Sequence, residues 1–135
     1  ILRLHCRPQR LENQLAAAIR PILDPARVIA VQDLCRTVHV DDAIIRYVNA
    51  IVRKTRQWPA FAVGASPRAG IALVSAARVL AAFAGRSYVV PDDVKELVLP
   101  ALRHRVILTP EAEVAGETTD GGLAALVASV EVPRP

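Results

Sequence analysis

The amino-acid sequence predicts a mainly α-helical domain of about five to six helices, with very short strands between some of them. Apolar residues recur at the i, i+3, i+4 spacing of an amphipathic helix along most of the chain. Asp24-Pro25 and Ser66-Pro67 each place a capping residue before a proline, which is typical of a helix start. The 135 residues are 53% hydrophobic, so one buried core is expected.

Four helical segments are predicted in the first half of the chain. They are the end of a helix before Pro8, a helix over about 11–20, a helix from Asp24-Pro25 to Leu34, and a helix that begins at Asp41-Asp42. The predicted inner face of the last one consists of Ile44, Ile45, Val48, Ile51 and Val52. The β-branched segment 37–40 is expected to be a short extended connector, and residues 59–66 are expected to be a loop.

The second half begins with the most apolar helix of the chain. It is predicted to run from Ser66-Pro67 to Ala84, to end at Gly85, and to be buried on nearly every side. Its one polar stripe consists of Arg68, Ser75 and Arg78.

Shorter elements are expected after that helix. Residues 88–90 read as a second extended piece. Pro91-Asp92-Asp93 begins a helix that Pro100 is expected to kink or break. Residues 109–122 are predicted to be an acidic loop, and residues 123–130 a last short helix.

Charge and hydropathy exclude several classes of protein. The formal net charge is +4, but no run of Lys and Arg reaches five residues, so no nucleic-acid partner is expected. The most apolar stretch, 70–84, is interrupted by Ser75 and Arg78 and is shorter than the roughly 18 residues that a membrane span requires. No membrane partner is expected either.

The ends and the cysteines of the chain indicate its context. The sequence contains no methionine and begins with Ile1, and basic residues interrupt its N-terminus as they would not in a signal peptide. We therefore expect a part excised from a larger protein. Cys6 and Cys35 are too few for a disulfide scaffold, which favours a reducing cytoplasm.

Ser66-Pro67-Arg68 is the candidate site with the most information. Ser66 and Pro67 are predicted to cap the apolar helix, which puts the cation of Arg68 at the positive end of the helix dipole. An anion such as phosphate would relieve that arrangement, and the flanking Gly64 and Gly70 would let a ligand or another chain approach closely. The alternative is a solvated surface arginine beside an ordinary helix cap.

Two other patterns resemble functional sites but favour structural roles. The segment 38–42 is an apolar run that ends in Asp41-Asp42, as in a strand that holds a nucleotide's magnesium, but no glycine-rich phosphate loop accompanies it. We interpret these acids, and Asp92-Asp93, as helix caps.

A metal centre and a catalytic centre are not expected in this chain. The zinc-binding residue types are His5, Cys6, Cys35 and His39. The adjacent His5-Cys6 pair is poor zinc geometry and no C-x₂-C motif is present, so no metal site is predicted. No arrangement of Ser, His and Asp carries a nucleophile signature, so no catalytic residue is predicted in the fragment.

Several motifs in a fixed order resemble the C-terminal lid of the MoxR-type AAA+ ATPases. They are the string 63–69 (Val-Gly-Ala-Ser-Pro-Arg-Ala), Gly85-Arg86, the string 88–94 (Tyr-Val-Val-Pro-Asp-Asp-Val) and the string 102–105 (Leu-Arg-His-Arg). The segment 38–42 and the helix through Thr55-Arg56 fit the same pattern. The resemblance covers about residues 27–133. It implies that residues 1–20 are the terminal helix of an ATPase core with its linker, and that residues 21–135 are a helical AAA+ lid domain.

The resemblance also implies a function. In this family the Gly-Ala-Ser-Pro-Arg string is the sensor 2 motif, so Arg68 would contact nucleotide phosphate, with Ser66 and Pro67 as the helix cap and Gly64 flanking. ATP and Mg²⁺ would be bound mainly by the N-terminal core. The implied partners are that core, neighbouring subunits of a ring that is usually hexameric, and a von Willebrand A domain protein that the motor remodels or activates, as a chaperone does.

Two other functions fit parts of the sequence. A small helical nucleic-acid-binding or adaptor domain would use the basic surface and would bind DNA tightly and with strong salt dependence. A plain helical oligomerisation module would be favoured if no glycine-rich phosphate loop preceded this chain in its gene. Whether Arg68 would serve the nucleotide of its own subunit or of a neighbour is open at this level.

Overall fold

The computed structural model describes residues 21–133, which contain six helices and a two-stranded sheet. The chain divides into two compact units between Gln32 and Asp33, and each is described by itself. The helices predicted before Pro8 and over 11–20 lie outside the described residues. The predicted domain boundary near residue 20 stays a prediction.

Helix α1 spans Pro25–Thr37, and it is the helix that the structure describes in the first unit. Its start is the predicted one, because the Asp24 carboxylate accepts a hydrogen bond from the Arg27 amide at 2.8 Å. It continues three residues beyond the predicted end at Leu34. The Thr37 hydroxyl donates to the Leu34 carbonyl at 2.8 Å in the last turn.

The second unit contains the remaining elements. In chain order they are α2 (Asp42–Thr55), β1 (Phe61–Val63), α3 (Pro67–Phe83), α4 (Pro91–Leu102), β2 (Ile107–Leu108), α5 (Pro110–Val114) and α6 (Thr119–Ala128). Strands β1 and β2 pair in an antiparallel fashion. The two predicted extended pieces also meet, since His39 and Tyr88 form a parallel bridge. The mainly α-helical class with very short strands is therefore confirmed.

Four helices enclose the core of this unit. Helix α3 packs against α2 and α4, and α6 packs against α2 and α4. The largest fully buried apolar side chains are Ile51, Leu73, Val94, Val98, Leu102, Leu123 and Leu126. These side chains come from all four helices, so each helix contributes one apolar face to a common interior.

The inner faces of α2 and α3 differ from the predicted ones. Tyr47 is buried on α2, whereas the predicted inner residue Ile45 is 48% exposed. The buried side chains of α2 follow the 44, 47, 48, 51, 52, 55 spacing of one helical stripe, and position 45 lies outside it. Helix α3 buries one face of small residues and Leu73, while Ile71 and Phe83 are 69% and 78% exposed. The prediction that α3 is buried on nearly every side is wrong for this unit.

The structure also corrects three predictions that were made from proline, glycine and other loop-forming residues. Residues 61–63 lie in strand β1, not in a loop, because they pair with β2. The predicted loop 109–122 contains α5 and the start of α6, and each helix begins behind a threonine. The Thr109 hydroxyl accepts from the Ala112 amide and the Thr118 hydroxyl from the Gly121 amide. Pro100 does not break α4, which continues to the buried Leu102.

Candidate functional site

Arg68 lies in the first turn of α3, directly after the residues that start this helix. Ser66 occupies the N-cap position with an extended backbone, and Pro67 is the first helical residue. The Ser66 carbonyl accepts from the Ala69 amide at 2.9 Å, while the Ser66 hydroxyl makes no capping bond. The helix start is therefore formed by a backbone hydrogen bond and by Pro67, and the Ser66 side chain does not bind a helix amide.

Arg68 puts a positive charge in a helical turn that contains no acidic residue. No acidic residue lies in the first turn of α3, and Arg68 is exposed. Within residues 21–133, no ion pair or side-chain hydrogen bond involves Arg68. A cation at the positive end of a helix dipole costs about 0.3–1 kcal/mol, which a bound anion would reverse.

The turn before α3 is held by a buried threonine at the end of α2. Thr55 is fully buried, and its hydroxyl accepts a hydrogen bond from the Ala65 amide at 2.8 Å. The same hydroxyl donates to the Val52 carbonyl at 2.7 Å. Ala65 is also fully buried, so this hydroxyl satisfies an amide that water does not reach.

Arg56 holds the same turn from its other side. Its Nε donates to the Ala65 carbonyl at 2.9 Å, so side chains from the end of α2 bind both backbone polar groups of Ala65. A Cβ added to Gly64 would lie 2.6 Å from the Arg56 Cα and amide nitrogen. Gly64 is therefore required by the close approach of Arg56 of the same chain. We name Thr55, Arg56, Gly64 and Ala65 the Ala65 clamp.

Sequence reasoning singled out the helix start but did not assign roles to Thr55 and Arg56. A weak signal was present, because Thr55 continues the apolar stripe of α2 at the i, i+3, i+4 spacing from Val52 and Ile51. A hydroxyl on a buried stripe needs a hydrogen-bond partner. Its partner lies ten residues away across β1, which the sequence does not reveal.

The other end of α3 is fixed by an ion pair. Gly85 ends the helix with φ of 70°, and Arg86 then forms a two-pronged contact with the carboxylate of Asp93, at 2.6 Å and 2.9 Å. Asp93 also accepts from the Val90 amide at 2.9 Å, which caps α4. Burial raises the pKa of the Asp93 carboxyl, but the hydrogen bonds from Arg86 and Val90 outweigh it and lower the pKa below its ordinary value.

The remaining sequence candidates occupy structural positions where they are described. Asp41 accepts from the Ala43 amide at 2.7 Å and caps α2, as predicted. His39 lies in the bridge with Tyr88, and Cys35 is buried. His5 and Cys6 lie outside the described residues. Among residues 21–133, no three His, Cys, Asp or Glu side chains are grouped so that they could hold a metal ion. No helix in this part of the chain is long and apolar enough to cross a membrane.

A family model of the AAA lid domain matches residues 53–125, which is more than half of the chain. The matched segment contains the Ala65 clamp, Arg68 and the Arg86–Asp93 pair. The chain belongs to the AAA lid domain family. This AAA lid domain has the α2–α3–α4–α6 core described above, and the fold class and the family resemblance inferred from its motifs are both confirmed.

Individual relatives place this AAA lid domain among MoxR-type proteins. It is 37% identical to the uncharacterised protein YeaC of Bacillus subtilis over 85% of this chain, and 38% identical to the chaperone MoxR1 of Mycobacterium tuberculosis over 69% of it. The matches cover 36% and 27% of those relatives. This AAA lid domain thus spans about a third of the length of the curated relatives it matches.

A solved structure has the same fold. A crystal structure of a candidate ATPase from Cytophaga hutchinsonii superposes with a TM-score of 0.77 at 29% sequence identity. The superposition covers 81% of this chain and 36% of that protein. The relatives are therefore longer proteins in which a domain like this one is a part.

Proposed function

We propose that this AAA lid domain is the nucleotide-sensing lid of a MoxR-type ATPase and that Arg68 is its sensor 2 arginine. One observation carries the proposal: an exposed arginine lies in the first turn of α3, without an acidic neighbour in that turn, three residues after Ala65, whose amide and carbonyl are both hydrogen-bonded. A guanidinium in the first turn of a helix suits a phosphate group. The similarity to MoxR1 and to the Cytophaga protein supports the nucleotide as the source of that phosphate.

In the proposed mechanism the lid responds to the state of the nucleotide. Arg68 binds the phosphates of ATP that the N-terminal core holds together with Mg²⁺, for which the described residues of the lid offer no ligand group. Hydrolysis removes the γ-phosphate, and the preferred lid orientation shifts by the free energy of the lost contact. A charge-assisted hydrogen bond is worth about 2 kcal/mol, which changes an equilibrium by roughly 30-fold.

The wider function follows from the same family. The lid movement works within a ring, in which this domain contacts its own core and the neighbouring subunits. The ring remodels or activates partner proteins in the manner of a chaperone, and a partner with a von Willebrand A domain fits this role. We place this activity in the cytoplasm.

The test is Arg68→Ala in the full-length protein that carries this domain. We expect about a hundredfold loss of ATP turnover, which is typical when one positioned donor to a developing charge is removed. The thermal unfolding midpoint should stay unchanged, because Arg68 is exposed. Arg46→Ala is the matched control, since Arg46 is an exposed arginine on α2, and it should turn over ATP at the parental rate. Parental turnover in the Arg68→Ala protein would refute the proposed role.

A further inference from the structure

Side chains at the end of α2 bind the backbone of a single residue, Ala65, just before the start of α3. Thr55, the last residue of α2, binds the amide of Ala65, and Arg56, the residue after it, binds the carbonyl. Arg68 follows three residues later, with only the N-cap and Pro67 between them. The orientation of the first turn of α3 relative to the end of α2 is therefore set at Ala65.

The contacts at Ala65 are more specific than the packing of the fold requires. Two ordinary helices can be joined by an exposed loop whose amides bind water. Here a fully buried hydroxyl lies on the otherwise apolar stripe of α2 and accepts from one buried amide. Gly64 adds a contact with the Arg56 backbone that leaves no room for a Cβ. The turn is thus fixed in position by three different kinds of contact.

We propose that Thr55 and Arg56 are positioning residues for Arg68: they hold the start of α3 so that the Arg68 guanidinium meets the nucleotide phosphate. The inference rests on the proposed function of Arg68. Neither residue contacts the nucleotide in this proposal. They act through the Ala65 backbone, and their effect on turnover passes entirely through Arg68. A displacement of about 1 Å at a positioned group is enough to slow a reaction strongly.

The central experiment compares two substitutions at position 55 and one double variant in the full-length ATPase. Thr55→Val keeps the shape of the side chain and removes the hydroxyl, and we expect about a tenfold lower kcat. Thr55→Ser keeps the hydroxyl, and we expect it to restore most of the parental kcat. Thr55→Val combined with Arg68→Ala should be no slower than Arg68→Ala alone, because both changes remove the same contact.

Two control variants separate positioning from general effects on the fold. Thr37→Val removes the matching hydroxyl at the end of α1, where Thr37 also donates to a carbonyl three residues back but, within residues 21–133, accepts from no distant amide. It should leave kcat unchanged. Val98→Ala opens a cavity in the buried face of α4, and it should lower the unfolding midpoint while the kcat per folded molecule stays parental.

Arg56 is tested by Arg56→Lys, which retains the charge but not the Nε donor. We expect a lower kcat that is again absent in the Arg68→Ala background, while Arg53→Lys, one turn earlier on α2, should have no effect. Amide hydrogen exchange gives a readout that is independent of turnover. Exchange at Ala65 should accelerate in Thr55→Val and remain slow in Thr55→Ser, because only serine keeps the acceptor.

The outcomes distinguish the two proposals. If Arg68→Ala is slow and Thr55→Val has the parental kcat, the positioning role is overturned and the sensor role stands. If the losses from Thr55→Val and Arg68→Ala multiply, Thr55 acts independently of Arg68 and the positioning role is again overturned. If Arg68→Ala has the parental turnover, the sensor role fails and the positioning inference fails with it.

Discussion

The two ends of helix α3 are attached to the rest of the lid by different kinds of contact. At the N-terminal end, the Thr55 hydroxyl accepts from the Ala65 amide and the Arg56 Nε donates to the Ala65 carbonyl. The charge of Arg68 is left without an acidic neighbour in its turn. At the C-terminal end, Arg86 forms an ion pair with Asp93. One end presents a cation, whereas the other end neutralises one.

The two glycines next to α3 show the same contrast. Gly85 has φ of 70°, and a Cβ built on it would contact nothing within 4 Å, so it is needed for its backbone conformation. Gly64 does not have a positive φ, and its Cβ would lie 2.6 Å from the Arg56 backbone, so it is needed for space. Gly85 allows α3 to end, and Gly64 allows the segment before α3 to contact the Arg56 backbone.

The largest effect we expect comes from breaking the C-terminal attachment. Asp93→Ala leaves the Val90 amide and the Arg86 guanidinium without their common acceptor, and it should lower the free energy of unfolding by roughly 3 kcal/mol. Urea denaturation followed by circular dichroism measures it. The control is Asp92→Ala, whose side chain is 84% exposed in its pair with Lys95, and which should change stability by less than about 0.5 kcal/mol. Equal losses in both variants would contradict the special role of Asp93.

A smaller effect is expected at the N-terminal attachment. Gly64→Ala forces its new methyl group against the Arg56 backbone, which cannot rotate away, and it should cost about 2 kcal/mol of unfolding free energy. Gly70→Ala is the matched control on α3 itself. Its Cβ would meet the Val48 and Val52 methyl groups at an ordinary 3.6 Å, so the variant should gain about 0.5–1 kcal/mol from helix propensity. A stabilised Gly64→Ala protein would show that the close contact is not needed.

The smallest effect is expected in the pH dependence of stability. The pKa of Asp93 is lowered in the folded chain, because the hydrogen bonds from Arg86 and Val90 outweigh the opposing effect of burial. The stabilisation is therefore complete above the ordinary pKa of about 4 and is lost as the pH falls through the lowered value. The parental chain should lose stability below about pH 4 more steeply than Asp93→Asn. Parallel pH profiles would show that this carboxylate does not contribute.

The helices that pack along one stripe were predictable from the sequence because their signal is local. The starts of α1, α2 and α3 follow from an acid or a serine before proline or before an apolar stripe. The start of α4 follows from Pro91 with two acids after it, and the end of α3 follows from Gly85. Arg68 could be selected as a site residue for the same reason, since both its charge and its place in the first turn are visible in the chain.

The elements that the sequence did not reveal depend on distant partners or on a competition between signals. Strand β1 exists because three residues meet β2 more than forty positions later, and so short a run has no periodicity of its own. Pro100 favours a break in α4, but the helix continues through it. This residue is exposed, and the burial of Val98 and Leu102 on either side keeps the helix continuous. The Thr109-Pro110 pair is typical of a helix start, but the glycines and acids that follow it favoured a loop.

The Ala65 clamp fixes the length of the chain segment between α2 and α3. Thr55 and Ala65 are ten positions apart, and within that interval Ala60 accepts a hydrogen bond from the Thr109 amide at 2.9 Å where β1 meets β2. An inserted or deleted residue would shift either the clamp or the strand register, and a shift of one residue turns strand side chains to the opposite face. Over evolutionary time this segment can change its composition at exposed positions such as Gln57 and Pro59, but alignments of such lids should contain no gap here.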